Sequence, residues 1–283
     1  MRRRATRAVP RPFLKWVGGK GQILDHLMRR VALAEPFRRY HEPFVGGGAL
    51  FFELARQRRL GRSKACLSDS NRNLMDAYVG VRDDVEGVIA LLEEHKRLHS
   101  KDYYYEVRAV VPGSLTERAA RIIYLNKTCF NGLFRENSKG QFNVPMGRYE
   151  NPPICDKENL RACAEVLKRA RLETRHFETV LDRAKPGDFI YFDPPYVPLS
   201  KTASFTSYDK SGFGDDSQRL LARVFEALAA RGVKVLLSNS MTDLVRELYD
   251  GDKYEVDQVP AKRVVNSRAD RRGEVSDALV RSF

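Results

Sequence analysis

Residues 41–59, HEPFVGGGALFFELARQRR, and the following ACLSDSNRNL (65–74) decide the fold. The first stretch places a short strand, a triple glycine (Gly46, Gly47, Gly48) and an amphipathic helix in succession, and the second reads as another strand ending at Asp69. A β-loop-α-β unit of this kind predicts an α/β sheet domain. Glycines between a strand and a helix N-terminus let the backbone approach a ligand closely. Asp69 follows about 20 residues later, the spacing of an acid that grips a ribose diol, so the ligand is expected to carry an adenosine-like group. Two bland alternatives stand beside this reading: a tight connector turn, and Asp69 as the N-cap of the next helix. Phe51 occupies the place of the last glycine in a dinucleotide fingerprint, and Gly21 and Leu14 depart from a P-loop around Lys20, so NAD and an NTPase are both disfavoured.

On the N-terminal side, FLKWVGGKGQILDHLMRRV (13–31) breaks at Gly18-Gly19 and then spaces Ile23, Leu24, Leu27, Met28 and Val31 along one helical face. Residues 1–12 form a basic arm, expected to be mobile until something anionic orders it. On the C-terminal side the α/β alternation stops. VEGVIALLEEHKRL (85–98) and ERAARIIYLNK (117–127) look helical, whereas residues 126–153 are turn-rich, basic and aromatic. Alternation resumes with a strand in DFIYFDPPY (188–196), a helix in DSQRLLARVFEALAARG (216–232) and a buried strand in VKVLLSNS (233–240). The expected organisation is a discontinuous sheet domain, 1–71 and 157–283, interrupted by an inserted helical and loop-rich domain, 72–156.

The DFIYFDPPY segment puts Asp193, Pro194, Pro195 and Tyr196 directly after an apolar strand, where open α/β sheets place their chemistry. Two prolines stiffen the loop and remove backbone donors, leaving carbonyl acceptors beside a carboxylate and an aromatic face. That set suits a planar group with an exocyclic NH2, whose two N–H groups are accepted while Tyr196 stacks on the ring. The alternative for the tetrapeptide alone is a proline turn with a capping Asp.

Composition narrows the partner. Lys plus Arg number 50 against 37 Asp plus Glu, a formal charge of +13, which favours a polyanion, nucleic acid ahead of an anionic membrane. At 42% hydrophobic and 31% charged residues the chain is a soluble globular protein, which excludes collagen-like and disordered classes. The N-terminus lacks the apolar stretch of a signal peptide and no apolar run approaches the ~20 residues of a membrane span, which predicts a cytoplasmic protein. The four cysteines (Cys66, Cys129, Cys155, Cys163) have neither a CxxC pair nor zinc spacing and read as reduced thiols.

KWVGGK (15–20), PFVGGG (43–48), SDSN (68–71), NGLFREN (131–137), GQFNVPMGRY (140–149), DPPY (193–196) and RVVNSRADRRG (263–273), in this order, resemble DNA N6-adenine methyltransferases of the Dam type, the D12 class. The resemblance covers nearly the whole chain beyond the basic arm. It implies a Rossmann-like S-adenosylmethionine-dependent methyltransferase sheet domain with an inserted helical and hairpin target-recognition domain at 72–156. It implies S-adenosylmethionine as donor with no metal, and transfer to a flipped adenine in double-stranded DNA, in GATC. Asp193, Pro194 and Tyr196 would be catalytic, with Trp16, Lys20, Phe44, Gly46, Gly48, Asp69, Phe177 and Asp193 at the cofactor. Lys15, Asn131, Leu133, Arg135, Asn137, Pro145 and Tyr149 would contact DNA. It further implies a setting at a bacterial nucleoid or in a phage-infected cell, with association with a restriction-modification system as one option. The lack of a heptad run predicts a monomer. Cytosine C5 methylation is set aside: that chemistry needs a thiolate nucleophile, which usually follows proline, and the cysteines here follow Ala, Thr or Ile. Cytosine N4 methylation, RNA methylation and a nonenzymatic DNA-binding module are the remaining alternatives; the Asp that begins the tetrapeptide favours adenine, and an intact cofactor site with DPPY disfavours the last.

Overall fold

Phe189, Ile190, Tyr191 and Phe192 are buried without exception, the mark of a strand covered on both faces. In the computed structural model, which describes residues 8–16, 18–61, 64–197, 213–249, 253–262 and 274–283, this run is β4 (Phe189–Phe192) of a seven-stranded sheet. The other strands are β1 (Arg39–Glu42), β2 (Lys64–Asp69), β3 (Ala170–Thr174), β5 (Lys234–Ser240), β6 (Glu255–Lys262) and β7 (Glu274–Arg281), in the order β3-β2-β1-β4-β5-β7-β6. β2, β1, β4 and β5 run parallel, and β7 is antiparallel to both β5 and β6. Pro260 lies in β6, an edge strand, where a residue without an N–H breaks no ladder on its open side. Strand order reverses about β1 and β4, which are adjacent and parallel. The chain therefore leaves both strands toward the same sheet edge, at Pro43 and at Asp193.

The helices are α1 (Leu24–Ala34), α2 (Ala49–Arg56), α3 (Arg72–Asp83), α4 (Val85–Leu98), α5 (Lys101–Ala109), α6 (Leu115–Thr128), α7 (Lys157–Leu167), α8 (Asp215–Ala230) and α9 (Asp243–Tyr249). Two compact units result, one made of 1–19, 46–61 and 69–174, the other of 20–45, 62–68 and 175–283. In the second unit Leu221, Val224, Phe225 and Leu228 of α8 pack with Ile190, Phe192, Val235 and Leu237. Ile23, Leu27, Met28 and Val31 of the α1 segment are buried as the sequence spacing predicts, while Leu24 is only half-buried.

The first unit is helical. Ser114 and Glu117 form a capping box at the start of α6. The buried Arg121 of α6 donates to the carbonyls of Val107 and Arg108 at 2.9 and 2.7 Å, closing the end of α5. Arg11, in the described part of the arm, is fixed here. Its backbone exchanges two 3.0 Å hydrogen bonds with the Asn159 side chain, and its guanidinium meets Asp156 at 2.6 Å. The mobile-arm expectation therefore does not extend to Arg11. Residues 1–7 and the 263–273 motif lie outside the described residues.

α3 and α6 approach closely at Gly80, where an added Cβ would lie 2.3 Å from the Ala119 Cβ. Gly80→Ala gains about 1 kcal/mol of helix propensity, but the obstacle is a backbone-fixed methyl group, so overpacking at about 1 to 3 kcal/mol wins. Urea unfolding should show a net loss of stability for Gly80→Ala, partly recovered when Ala119→Gly is added.

Candidate active site

The second unit carries a buried polar cluster at the carboxyl ends of β4 and β5. Because Phe192 pairs with Leu237, the residues that follow, Asp193–Tyr196 and Ser238–Ser240, run side by side. Asp193 Oδ1 accepts from Lys20 Nζ and from Ser238 Oγ, both at 2.8 Å. The Asp193 side chain is 19% exposed and that of Lys20 8%. Burial pushes the Asp193 carboxyl above its ordinary range, and the Lys20 ammonium opposes that shift. Among the described residues both contacts fall on Oδ1, so Oδ2 remains as an acceptor. The Tyr196 hydroxyl donates to Asp277 at 3.2 Å, and Lys20 Nζ also sits 4.4 Å from the centre of the Tyr196 ring. Past the end of β1, Phe44 stacks on Phe177 at 5.2 Å and meets Phe213 edge-on at 5.5 Å. Lys20, Phe44, Phe177, Asp193, Pro194 and Tyr196 thus belong to one unit.

The first unit carries the glycine loop. Gly46 and Gly48 have φ of 47° and 68°, the left-handed region that favours glycine. A Cβ on Gly46 would come within 2.9 Å of the Trp16 ring, and one on Gly48 within 2.7 Å of the Tyr78 hydroxyl. Asp69 accepts from the backbone N–H of Gly46 at 3.2 Å and of Asn71 at 3.0 Å. The N-cap of α3 is Asn71, which accepts from the Leu74 N–H, so the cap reading of Asp69 is set aside. Burial pushes the Asp69 carboxyl up to about 6, against the pull of N–H donors from Asn71, Gly46 and Ser70. A carboxylate has about four acceptor sites, so after three backbone donors it still has room for a sugar hydroxyl. Carboxylate, left-handed glycines and Trp16 therefore fit an adenosine-bearing cofactor.

The turn-rich segment folds back on itself in the same unit. Bridges pair Cys129 with Met146 and Glu136 with Phe142, and Asn137 closes the tip through Gln141. Asn131, Arg135, Asn137 and Pro145 are exposed on this ribbon, and Leu133 and Tyr149 are half-buried. Arg135 Nε donates to Asn143 Oδ1 at 2.7 Å, and Lys15 Nζ lies 4.3 Å from the centre of the Tyr149 ring. Lys15 belongs to the ribbon by construction. Asn126, buried, receives the Lys15 N–H at 2.7 Å and donates to the Lys15 and Gly132 carbonyls at 2.6 and 3.2 Å.

Sequence reasoning missed Asn126 and the Ser238-Asn239-Ser240 end of β5. The available signal was three consecutive polar residues finishing an apolar strand, and all three are fully buried. Three of the four cysteines are unsuited to act as thiolate nucleophiles: burial pushes Cys129 up to about 11 and Cys155 and Cys163 up to about 12.

Residues 16–264 match the family model of D12 class N6 adenine-specific DNA methyltransferases. The chain is 42% identical to the Type II methyltransferase M1.LlaDCHI of Lactococcus lactis subsp. cremoris, over 96% of this chain and 95% of that protein. It is 42% identical to the Type II methyltransferase M.MjaIII of Methanocaldococcus jannaschii, over 96% and 99%. It is 34% identical to the DNA adenine methylase of Escherichia coli K12, over 95% and 94%. A carboxylate and aromatic ring on a proline loop, a glycine loop with its acid and a match over most of the chain agree, and the protein belongs to the D12 class of N6-adenine-specific DNA methyltransferases, S-adenosylmethionine-dependent enzymes that act on DNA.

Proposed function

We propose that the protein, as a monomer, methylates N6 of an adenine flipped out of duplex GATC. The observation that carries the chemistry is the Asp193 carboxylate, fixed at Oδ1 by Lys20 and Ser238 at the start of a loop that lacks two backbone donors. The N6 lone pair is delocalised into the adenine ring and is a poor nucleophile. Asp193 and the Pro194 carbonyl accept the two N–H groups of the amine and bias it toward tetrahedral geometry, while Tyr196 stacks on the base. Bound S-adenosylmethionine supplies an electrophilic methyl group on a sulfonium. Alignment of amine and methyl contributes more than any strong base. The roles proposed toward the cofactor are Asp69 as acceptor for the ribose, and Trp16, Gly46 and Gly48 of the first unit and Lys20, Phe44 and Phe177 of the second as further contacts.

Target recognition belongs to 72–156. Arg135 reads the outer guanine bidentately, Leu133 and Pro145 meet the thymine methyl, and Lys15 reads the first guanine. Asn131, Asn137 and Tyr149 complete the DNA contacts. The exposure of Arg135 and its orientation by Asn143 support this assignment. The Type II names of two relatives support association with a restriction-modification pair.

Asp193→Ala and Asp193→Asn should both abolish methyl incorporation into DNA while gel-shift affinity for duplex is kept, because the carboxylate acts on the amine and not on phosphate. Turnover near the parent rate would refute the mechanism.

Asp69 gives a pH signature. Ionised above about 6 and neutral below it, the carboxyl exchanges a charged acceptor for a weaker neutral one as pH falls. Calorimetric affinity for S-adenosylmethionine should therefore drop below pH about 6, approaching tenfold per pH unit, and Asp69→Asn should flatten that dependence.

Arg135→Ala should cost ~1 to 3 kcal/mol on GATC and relax discrimination at one base pair only. Equal losses on GATC and on sites substituted at that pair would make Arg135 a phosphate clamp instead.

A further inference from the structure

Gln218, Asn239 and Ser240 are buried to 1% or less, yet all three are polar. They are not needed to seat α8 on β5, since Leu221, Val224 and Phe225 already pack with Val235 and Leu237. Buried amides are costly unless every donor and acceptor is matched. Their partners are the peptide groups just after Pro194. Gln218 Nε2 donates to the Pro195 carbonyl at 2.9 Å. Asn239 Oδ1 accepts the Val197 N–H at 3.1 Å and the Ser240 N–H at 2.8 Å. Ser240 Oγ donates to the Val197 carbonyl at 2.8 Å. Asn239 Nδ2 donates to Gln218 Oε1 at 3.0 Å, which joins the two amides into one chain.

We propose that Gln218, Asn239 and Ser240 are positioning residues that aim the Pro194 carbonyl at the methyl-accepting amine. The inference rests on the catalytic reading of Asp193 and Pro194 given above. Prolines 194 and 195 have no N–H by which the backbone could be pinned, so the loop must be held by its carbonyls and by the donors beyond it. The Pro195 ring sets its own φ near roughly −65°. Once the Pro195 carbonyl is held by Gln218, a single torsion, ψ of Pro195, separates it from the Pro194 carbonyl. The polarity of the chain is also fixed. Val197 N–H commits Asn239 Oδ1 as acceptor, which commits Nδ2 as donor to Gln218 Oε1, which commits Gln218 Nε2 as donor to Pro195. Reversing any one amide puts oxygen against oxygen or N–H against N–H.

Gln218→Glu keeps the size and inverts this polarity, placing a second acceptor against the Pro195 carbonyl. Ser240→Ala removes one hydroxyl and leaves the backbone of β5 intact. The expected result is a single-turnover methyl-transfer rate lowered about 10²-fold in Gln218→Glu and about tenfold in Ser240→Ala. Affinity for S-adenosylmethionine and for duplex should be unchanged, as should the fluorescence rise of a duplex carrying 2-aminopurine at the methylated adenine, which reports flipping. A merely structural role would lower affinities, flipping signal and melting temperature together with the rate. Should Gln218→Glu not fold, Ser240→Ala decides alone. A parental single-turnover rate in Ser240→Ala and in any folded Gln218→Glu, with Asp193→Ala inactive, overturns the positioning role. An active Asp193→Ala overturns the catalytic reading and this inference with it.

Discussion

A carboxylate four-fifths out of water must be compensated where it stands, and the second unit is organised around that requirement at Asp193. Desolvation drives the group toward its neutral form, in which one oxygen becomes a donor and the acceptor set changes. The Lys20 ammonium and the Ser238 hydroxyl, both on Oδ1, work against that drift and leave the second oxygen as acceptor. Ser238 is itself placed by Tyr191, whose hydroxyl lies 2.9 Å from its Oγ. One buried acid thus accounts for a buried lysine, a buried serine and a buried tyrosine that apolar strands would not otherwise accept.

The sheet supplies the rigidity that this compensation needs. Between Lys234 at its start and the Phe192 and Leu237 pair at its end, the β4 and β5 register is apolar but for the Tyr191 hydroxyl, and three consecutive polar residues, Ser238, Asn239 and Ser240, follow it. Chemistry therefore begins where covering by apolar side chains ends, and the strand reversal about β1 and β4 puts Phe44 and Asp193 on departures from the same edge. The glycine loop follows Phe44 by two residues, so its covalent link to this edge is short.

What could be read from sequence was whatever a local pattern records. The β1 to β2 unit, α1, α4, α6, β4, α8 and β5 were legible because apolar spacing and glycine breaks are local, and the ordered motifs carried the family. Other features depend on partners far along the chain. Gln218 is an ordinary helical glutamine until its partner 23 residues earlier is known. Asn126 sits where a helical pattern runs into a turn-rich one, and nothing local marks it until Lys15, 111 residues away, is found in its grip. The β6 and β7 pairing was equally invisible, since neither run is strongly apolar and their antiparallel register is set by contact with β5. The cap alternative for Asp69 could be decided only by finding the Leu74 N–H on Asn71.

Asp69 and Asp193 show how one residue type is given two behaviours by its surroundings. Burial raises both carboxyls, but the compensating groups differ. Asp69 has only neutral backbone donors, each of which favours the ionised form without supplying a charge, and it settles at about 6, within reach of modest acidification. Asp193 has a full positive charge at 2.8 Å. A charged donor opposes desolvation more strongly than a dipole does at the same distance. The two environments differ in kind: Asp69 is compensated by backbone dipoles alone and Asp193 by a charge together with a hydroxyl, and burial raises both carboxyls all the same. The arrangement places the lysine at the second of them.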